Sequence, residues 1–129
     1  MLKMLAGKGV GGRMAARLGM TPVRIPAGAK AAYHAGATIV ANYTVALMGM
    51  AVRIAASAGV PTELAGRVYL PLLHGAAVNV DHLTPPDALT GAIRRGDAGT
   101  VAAHLAALAP GYRRLYAVVG LEALALSRQ

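Results

Sequence analysis

Hydrophobic and polar positions divide the chain into helical segments. From Ala29 to Ser57 nearly every residue is Ala, Val, Leu, Ile, Met or Gly, and Lys30 and Arg53, near the two ends, are the only formal charges. A run this long, apolar on nearly every side, predicts a single helix of about 43 Å at 1.5 Å per residue, placed at the buried centre of the fold. Pro26 and Gly28 delimit its start. Gly59 and Pro61 end it, because a left-handed glycine closes a helix and a proline shortly after cannot continue it.

Thr62 then offers a capping oxygen to a second helix reaching about Val80, with the Glu63 carboxylate in the positively polarised first turn. Pro71 predicts a kink near Tyr69 and Leu70, since it removes one backbone donor and crowds the preceding turn. Asp81 to Pro86 reads as a connection, and Asp87 as the cap of a short helix ending near Arg95 and Gly96. Asp97 is placed to cap the next helix, in which Val101, Leu105 and Leu108 recur at helical spacing. Pro110 opens a last helix with Leu115, Val118, Val119 and Leu126 on one face. Only Thr21 to Ile25 suggests a strand. The expectation is an all-α fold, a helical bundle around one long central helix, and 129 residues suffice for one core.

Composition sharpens this picture. The chain is 56% hydrophobic yet has no Phe and no Trp, so Ala, Leu, Val, Met and five Tyr must fill the core, which calls for closely packed helices. The absence of Cys excludes disulfides, thiolate metal sites and a cysteine nucleophile, and a cytoplasmic location is the default. Met1 to Gly12 lacks the apolar stretch and small-residue cleavage site of a signal peptide. The net charge of +8 raises the question of nucleic acid. Its Arg and Lys are scattered, however, with pairs only at Arg94-Arg95 and Arg113-Arg114 and no interleaved aromatic residues, so a dispersed basic surface is expected and no nucleic-acid partner. Ala31 to Val52 is long enough to span a bilayer. The polarity of Tyr33, His34, Thr38, Asn42, Tyr43 and Thr44 and the abundance of Ala and Gly argue instead for a packed, soluble helix, and no membrane association is expected.

Few residues could carry chemistry. Gly7-Lys8-Gly9-Val10-Gly11-Gly12 fits the spacing of a pyrophosphate-binding turn, but no convincing strand precedes it and no acidic residue follows about 20 positions later to hold a ribose. A flexible N-terminus is the simpler reading. Lys30, His34 and Asn42 are polar positions of an otherwise apolar helix. Lys30 and His34 share a face, and in a straight helix Asn42 lies about 120° round from Lys30 but only about 80° from His34, so a bend could aim all three at one cleft. Read individually, they are better explained as a snorkelling lysine and two internally satisfied polar groups. His74, His82 and His104 are not spaced with carboxylates as metal ligands, so no metal is expected. Ser57 and Ser127 stand outside any nucleophile-elbow pattern.

Several runs together resemble a known family: Ala29-Lys30-Ala31-Ala32-Tyr33-His34-Ala35, Ala41-Asn42-Tyr43-Thr44-Val45-Ala46-Leu47, Ala88-Leu89-Thr90-Gly91-Ala92-Ile93-Arg94-Arg95-Gly96-Asp97, and Thr100-Val101 with His104-Leu105. The family is the one called domain of unknown function 2520, whose members join a Rossmann-like N-terminal half to a helical C-terminal half. The resemblance covers about Gly19 to the C-terminus. Ala92 departs from it, standing where the family usually has Pro.

The resemblance implies that residues 26 to 129 form the helical C-terminal domain, and that residues 1 to 25 are an N-terminal remnant in which Met14 to Ile25 are the last helix and strand of the Rossmann-like half. The implied fold is that of the C-terminal domains of 6-phosphogluconate dehydrogenase-like and ketopantoate reductase-like enzymes, which build dimers and close one side of the cofactor cleft. Those enzymes place a proton-transferring Lys four residues before an Asn. Here Lys30 precedes His34 at that spacing, which puts catalysis in doubt. The expectation is a homodimeric domain of an NAD(P)-dependent oxidoreductase-like protein that carries part of a site and no complete catalytic apparatus. Lys30, His34 and Asn42 are its candidate catalytic residues and Thr90 and Asp97 its candidate substrate contacts. The chain by itself is expected to bind no cofactor, NAD(P) being implied for the full-length parent. The alternatives are a structural or interaction module without catalysis and a small membrane protein.

Overall fold

The computed structural model describes residues 9 to 129, and every regular element among them is helical. They fall into two compact units, Met1–Ala46 and Leu47–Gln129. The boundary lies within the long apolar run.

In the first unit, Gly9 precedes helix α1 (Val10–Arg17), and Gly7 and Lys8 of the glycine-rich turn lie outside the described residues. The stretch Met20–Pro26 has no regular structure, so Thr21 to Ile25 is not a strand. The physical reason is that a segment becomes a strand only by ladder pairing, and no strand is present among the described residues to pair with it. A short 3-10 turn (Ala27–Ala29) leads into α2 (Lys30–Thr38), a π-helical turn (Ile39–Tyr43) follows, and α3 (Thr44–Ser57) continues the run into the second unit.

The expected long helix is therefore present over Ala27–Ser57 but neither uniform nor buried. Only 6% of its most apolar stretch is buried, and Val40 and Val45 are 75% and 72% exposed. By length and composition it is the one described helix that could cross a membrane. Just before this interruption the Thr38 hydroxyl donates to the His34 carbonyl at 3.0 Å, a back-bond of the kind that accompanies bends in helices.

In the second unit, α3 ends as the sequence predicts. Gly59 takes φ 91°, its N–H bonds the Ala56 carbonyl at 3.0 Å, and the Val60 N–H reaches back to Ala55 at 3.0 Å. The next helix, α4 (Thr62–His82), is longer than expected and runs on through Pro71. Pro61 rather than Thr62 holds the capping position, with no side-chain cap. Two single-turn helices replace the one expected after the connection, α5 (Pro85–Ala88) and α6 (Gly91–Arg94). Asp87 sits inside α5, where its carboxylate accepts a 2.6 Å hydrogen bond from Thr84 Oγ1. Then α7 (Ala98–Ala107) begins at Asp97 and α8 (Pro110–Leu126) at Pro110, both as expected.

Packing in this unit centres on α6, α7 and α8, which contact one another, while α4 packs on α5. Burial is slight. Among the described residues only Ala15, Ala55 and Ala65 are buried, and α4 leaves Val68 and Leu72 59% and 67% exposed. Loop hydrogen bonds carry much of the local order. Gly96 at φ 68° closes α6, its N–H bonded to Ile93 at 3.1 Å and the Asp97 N–H to Ala92 at 2.9 Å, so the chain is turned directly into the cap of α7.

A left-handed backbone costs an L-residue about 1–2 kcal/mol, so Gly96→Ala is expected to lower stability by that amount in urea denaturation. Gly75→Ala, in the interior of α4 with nothing within 4 Å of the added carbon, is expected to raise it by up to about 1 kcal/mol.

Candidate functional site

The π-turn decides where the polar residues of the long run point. An α-helix advances about 100° per residue, and closing a turn with one extra residue withdraws about 100° of rotation over the turn. Asn42 is the fourth of the five π residues, so about 80° has been withdrawn by the time the chain reaches it. In place of an offset of about 80°, Asn42 points almost the same way as His34 and stands about 40° from Lys30. Lys30, His34 and Asn42 therefore share one face in the first unit, and all three are exposed. The bend that the spacing requires is a widened turn.

The surroundings of that face are sparse. The Tyr33 ring meets His34 edge-on at 5.7 Å between centroids. Along the axis His34 lies about 6 Å and Asn42 about 17 Å from Lys30. A cation, an imidazole and an amide in this arrangement can supply charge and hydrogen bonds to one elongated small molecule.

Thr90 and Asp97 fall in the second unit. Thr90 precedes α6, is exposed and makes no side-chain cap. Asp97 is half-buried and its carboxylate is engaged: Oδ1 accepts from the Thr100 N–H at 3.0 Å and Oδ2 from the Thr100 hydroxyl at 2.7 Å. These bonds, the hydroxyl's first and the amide's second, hold its carboxyl below the usual range, and Arg95 and His104 add smaller favourable fields. Asp97 also stands on the rim of an apolar cavity of about 440 Å³ among α6, α7 and α8, walled by Ile93, Val101, Leu105, Tyr116 and Leu124.

A polar pair that the sequence reading missed closes this region. His104 Nδ1 and Tyr116 Oη share a 2.8 Å hydrogen bond, with their rings perpendicular at 5.8 Å. Nearby elements are tied in a similar way, by Arg53 Nε donating to the Tyr112 hydroxyl at 3.3 Å and Arg94 donating to the Ser127 carbonyl at 3.2 Å. Twelve residues separate His104 from Tyr116, across a helix break, so no single-helix periodicity could have paired them. Among the described residues no group of three or more His, Asp or Glu side chains is placed to hold a metal ion.

Residues 6–123 match a family model described as Domain of unknown function (DUF2520). No curated protein and no solved structure matches the chain.

The lowered Asp97 value gives a pH prediction. A carboxyl whose folded pKa lies below its unfolded one contributes stability that is complete above the ordinary value of 3.8 and disappears as the pH falls through the folded value. The melting temperature of the native chain is expected to exceed that of Asp97→Ala by a constant margin from pH 5 to 8, and the margin to shrink below about pH 4. A margin independent of pH down to pH 2 would mean that the charge plays no part in the cap.

Proposed function

The chain belongs to the DUF2520 family, and on that footing we propose that it is the substrate-side and dimerisation domain of an NAD(P)-dependent oxidoreductase-like protein. The observation that supports this most is the common exposed face of Lys30, His34 and Asn42. In such a protein a separate dinucleotide-binding domain would bring the hydride-transferring cofactor. The Lys30 ammonium would donate a proton to a substrate oxygen or stabilise charge developing on it, while His34 and Asn42 would orient the substrate. Asp97 has its capping role to perform, so its part is to fix the start of α7.

The same reading includes a homodimer in the cytoplasm. Apolar side chains along Ala27–Ser57 and α4 are exposed, and a two-fold pairing of such helices is the commonest way for one chain to cover them. Interfaces of this class bury on the order of 2,000 Å² or more.

Sedimentation equilibrium at micromolar concentration is expected to return twice the 13.1 kDa chain mass, and a folded monomer would overturn the dimer. Calorimetric titration with NADH and NADPH is expected to show no saturable binding to the chain alone. Joined to a dinucleotide-binding domain of another family member, it is expected to support nicotinamide oxidation that Lys30→Met lowers by about 100-fold or more at unchanged nucleotide affinity. Turnover indifferent to Lys30 would favour the interaction module.

A further inference from the structure

Small residues keep a space open among α6, α7 and α8. Gly96, Ala98, Ala117 and Gly120 line the cavity of about 440 Å³, where larger side chains at the same places would fill it. The whole lining belongs to the second unit, so that unit forms the space by itself. One wall is a close approach: a β-carbon on Gly120 would meet Ile93 Cδ1 at 3.4 Å, so the Ile93 side chain lies directly against the α8 backbone. Ile93 rides on α6, a single turn between Gly91 and Gly96, whose φ values of 86° and 68° are left-handed. Glycines on both sides give that wall freedom to shift as the cavity is entered.

The polar groups of the lining already have partners. Both oxygens of the Asp97 carboxylate accept from Thr100, and the Tyr116 hydroxyl bonds His104 Nδ1 at 2.8 Å. Among the described residues no Lys, Arg or His lines the space. An anion would therefore meet the Asp97 carboxylate at the rim and no cation inside, and a cation would give up its hydration for apolar walls. Water loses hydrogen bonds there, whereas an apolar occupant recovers the contacts that an unfilled hollow forfeits. We infer that the α6–α8 cavity is a binding site for an uncharged, largely hydrocarbon small molecule. Its volume lies in the range of about 300–1,000 Å³ usual for such sites. An apolar cavity of about 150 Å³ suffices for benzene, so this one has room for about two or three fused rings. The apolar side chains suited to another helix, Val40, Val45, Val68 and Leu72, project from the long helices, whereas a hollow between three helices encloses a molecule of its own size.

The probe is phenylnaphthylamine, uncharged and nearly all ring surface, and its charged counterpart is anilinonaphthalenesulfonate, the same ring system with a sulfonate added. The chain has no Trp, so probe fluorescence is read without interference. The full chain is expected to bind phenylnaphthylamine saturably at micromolar concentration, one per chain. It is expected to bind the sulfonate about tenfold more weakly, although a net charge of +8 would by itself favour the anion. Amide shifts caused by the neutral probe are expected between Ala92 and Leu124. Ala117→Leu, at an exposed position of α8 that tolerates a larger side chain, is expected to weaken that probe about tenfold. Val118→Leu, beside it but outside the lining, is expected to weaken it less than about twofold, with circular dichroism confirming that both variants fold. Absence of saturable binding would overturn the inference, as would tighter binding of the sulfonate or equal weakening by the two variants. Shifts spread along Ala27–Ser57 and α4 would also overturn it, by marking the probe as a stain for exposed apolar surface. If Ala117→Leu abolishes a dimer that the native chain forms, the cavity seats a second copy and the inference fails.

Discussion

One widened turn governs how the polar positions of the long apolar run are arranged. Between Ile39 and Tyr43 the backbone reaches one residue further back than in an α-helix, and the helical residues just after it are rotated relative to those just before it. Such turns are rare, poorly favoured by geometry and concentrated at functional positions. Here it follows directly on Thr38, whose hydroxyl occupies the His34 carbonyl. A regular helix through the same sequence would still put Lys30 and His34 on one face but would leave Asn42 turned about 80° aside from His34.

A second constraint is how little the chain covers of itself. Without Phe or Trp, its helices have small side chains at their contacts, and the residues that are buried are alanines. Order comes from local closures, the glycine-terminated ends of α3 and α6 and the carboxylate cap on α7, and from side-chain bonds such as His104 with Tyr116. Closures of this kind define where helices begin and end but leave their apolar faces open. The proposed function gives such open faces a use, since a second copy and a separate nucleotide-binding domain would each need a surface to meet.

Much of this was legible in the sequence. Proline at a first turn, glycine after a last turn and aspartate before a helix each act through the backbone of their immediate neighbours, so Gly59, Asp97 and Pro110 could be read in place. Thr21 to Ile25 could not, because being a strand depends on a partner elsewhere. Burial of the long run was misjudged for a related reason. Apolar composition states that a helix must be covered but not by what, and within this chain it is largely uncovered. The spacing of Lys30, His34 and Asn42 showed that a regular helix would not align them. It did not show a widened turn, because no residue type or spacing signals one extra residue in a helical turn. Tyr116 was invisible for want of any local signal linking it to His104.

The alignment itself can be measured without any ligand. Scalar couplings transmitted across backbone hydrogen bonds identify which carbonyl each amide proton meets, and the residues from Ile39 to Thr44 are the ones that decide. The account predicts couplings from amides at the end of this segment to carbonyls five residues earlier, flanked on both sides by the four-residue pattern of α2 and α3. Four-residue couplings throughout Lys30 to Ser57 would mean a regular helix, with Asn42 turned about 80° from His34, and would contradict it.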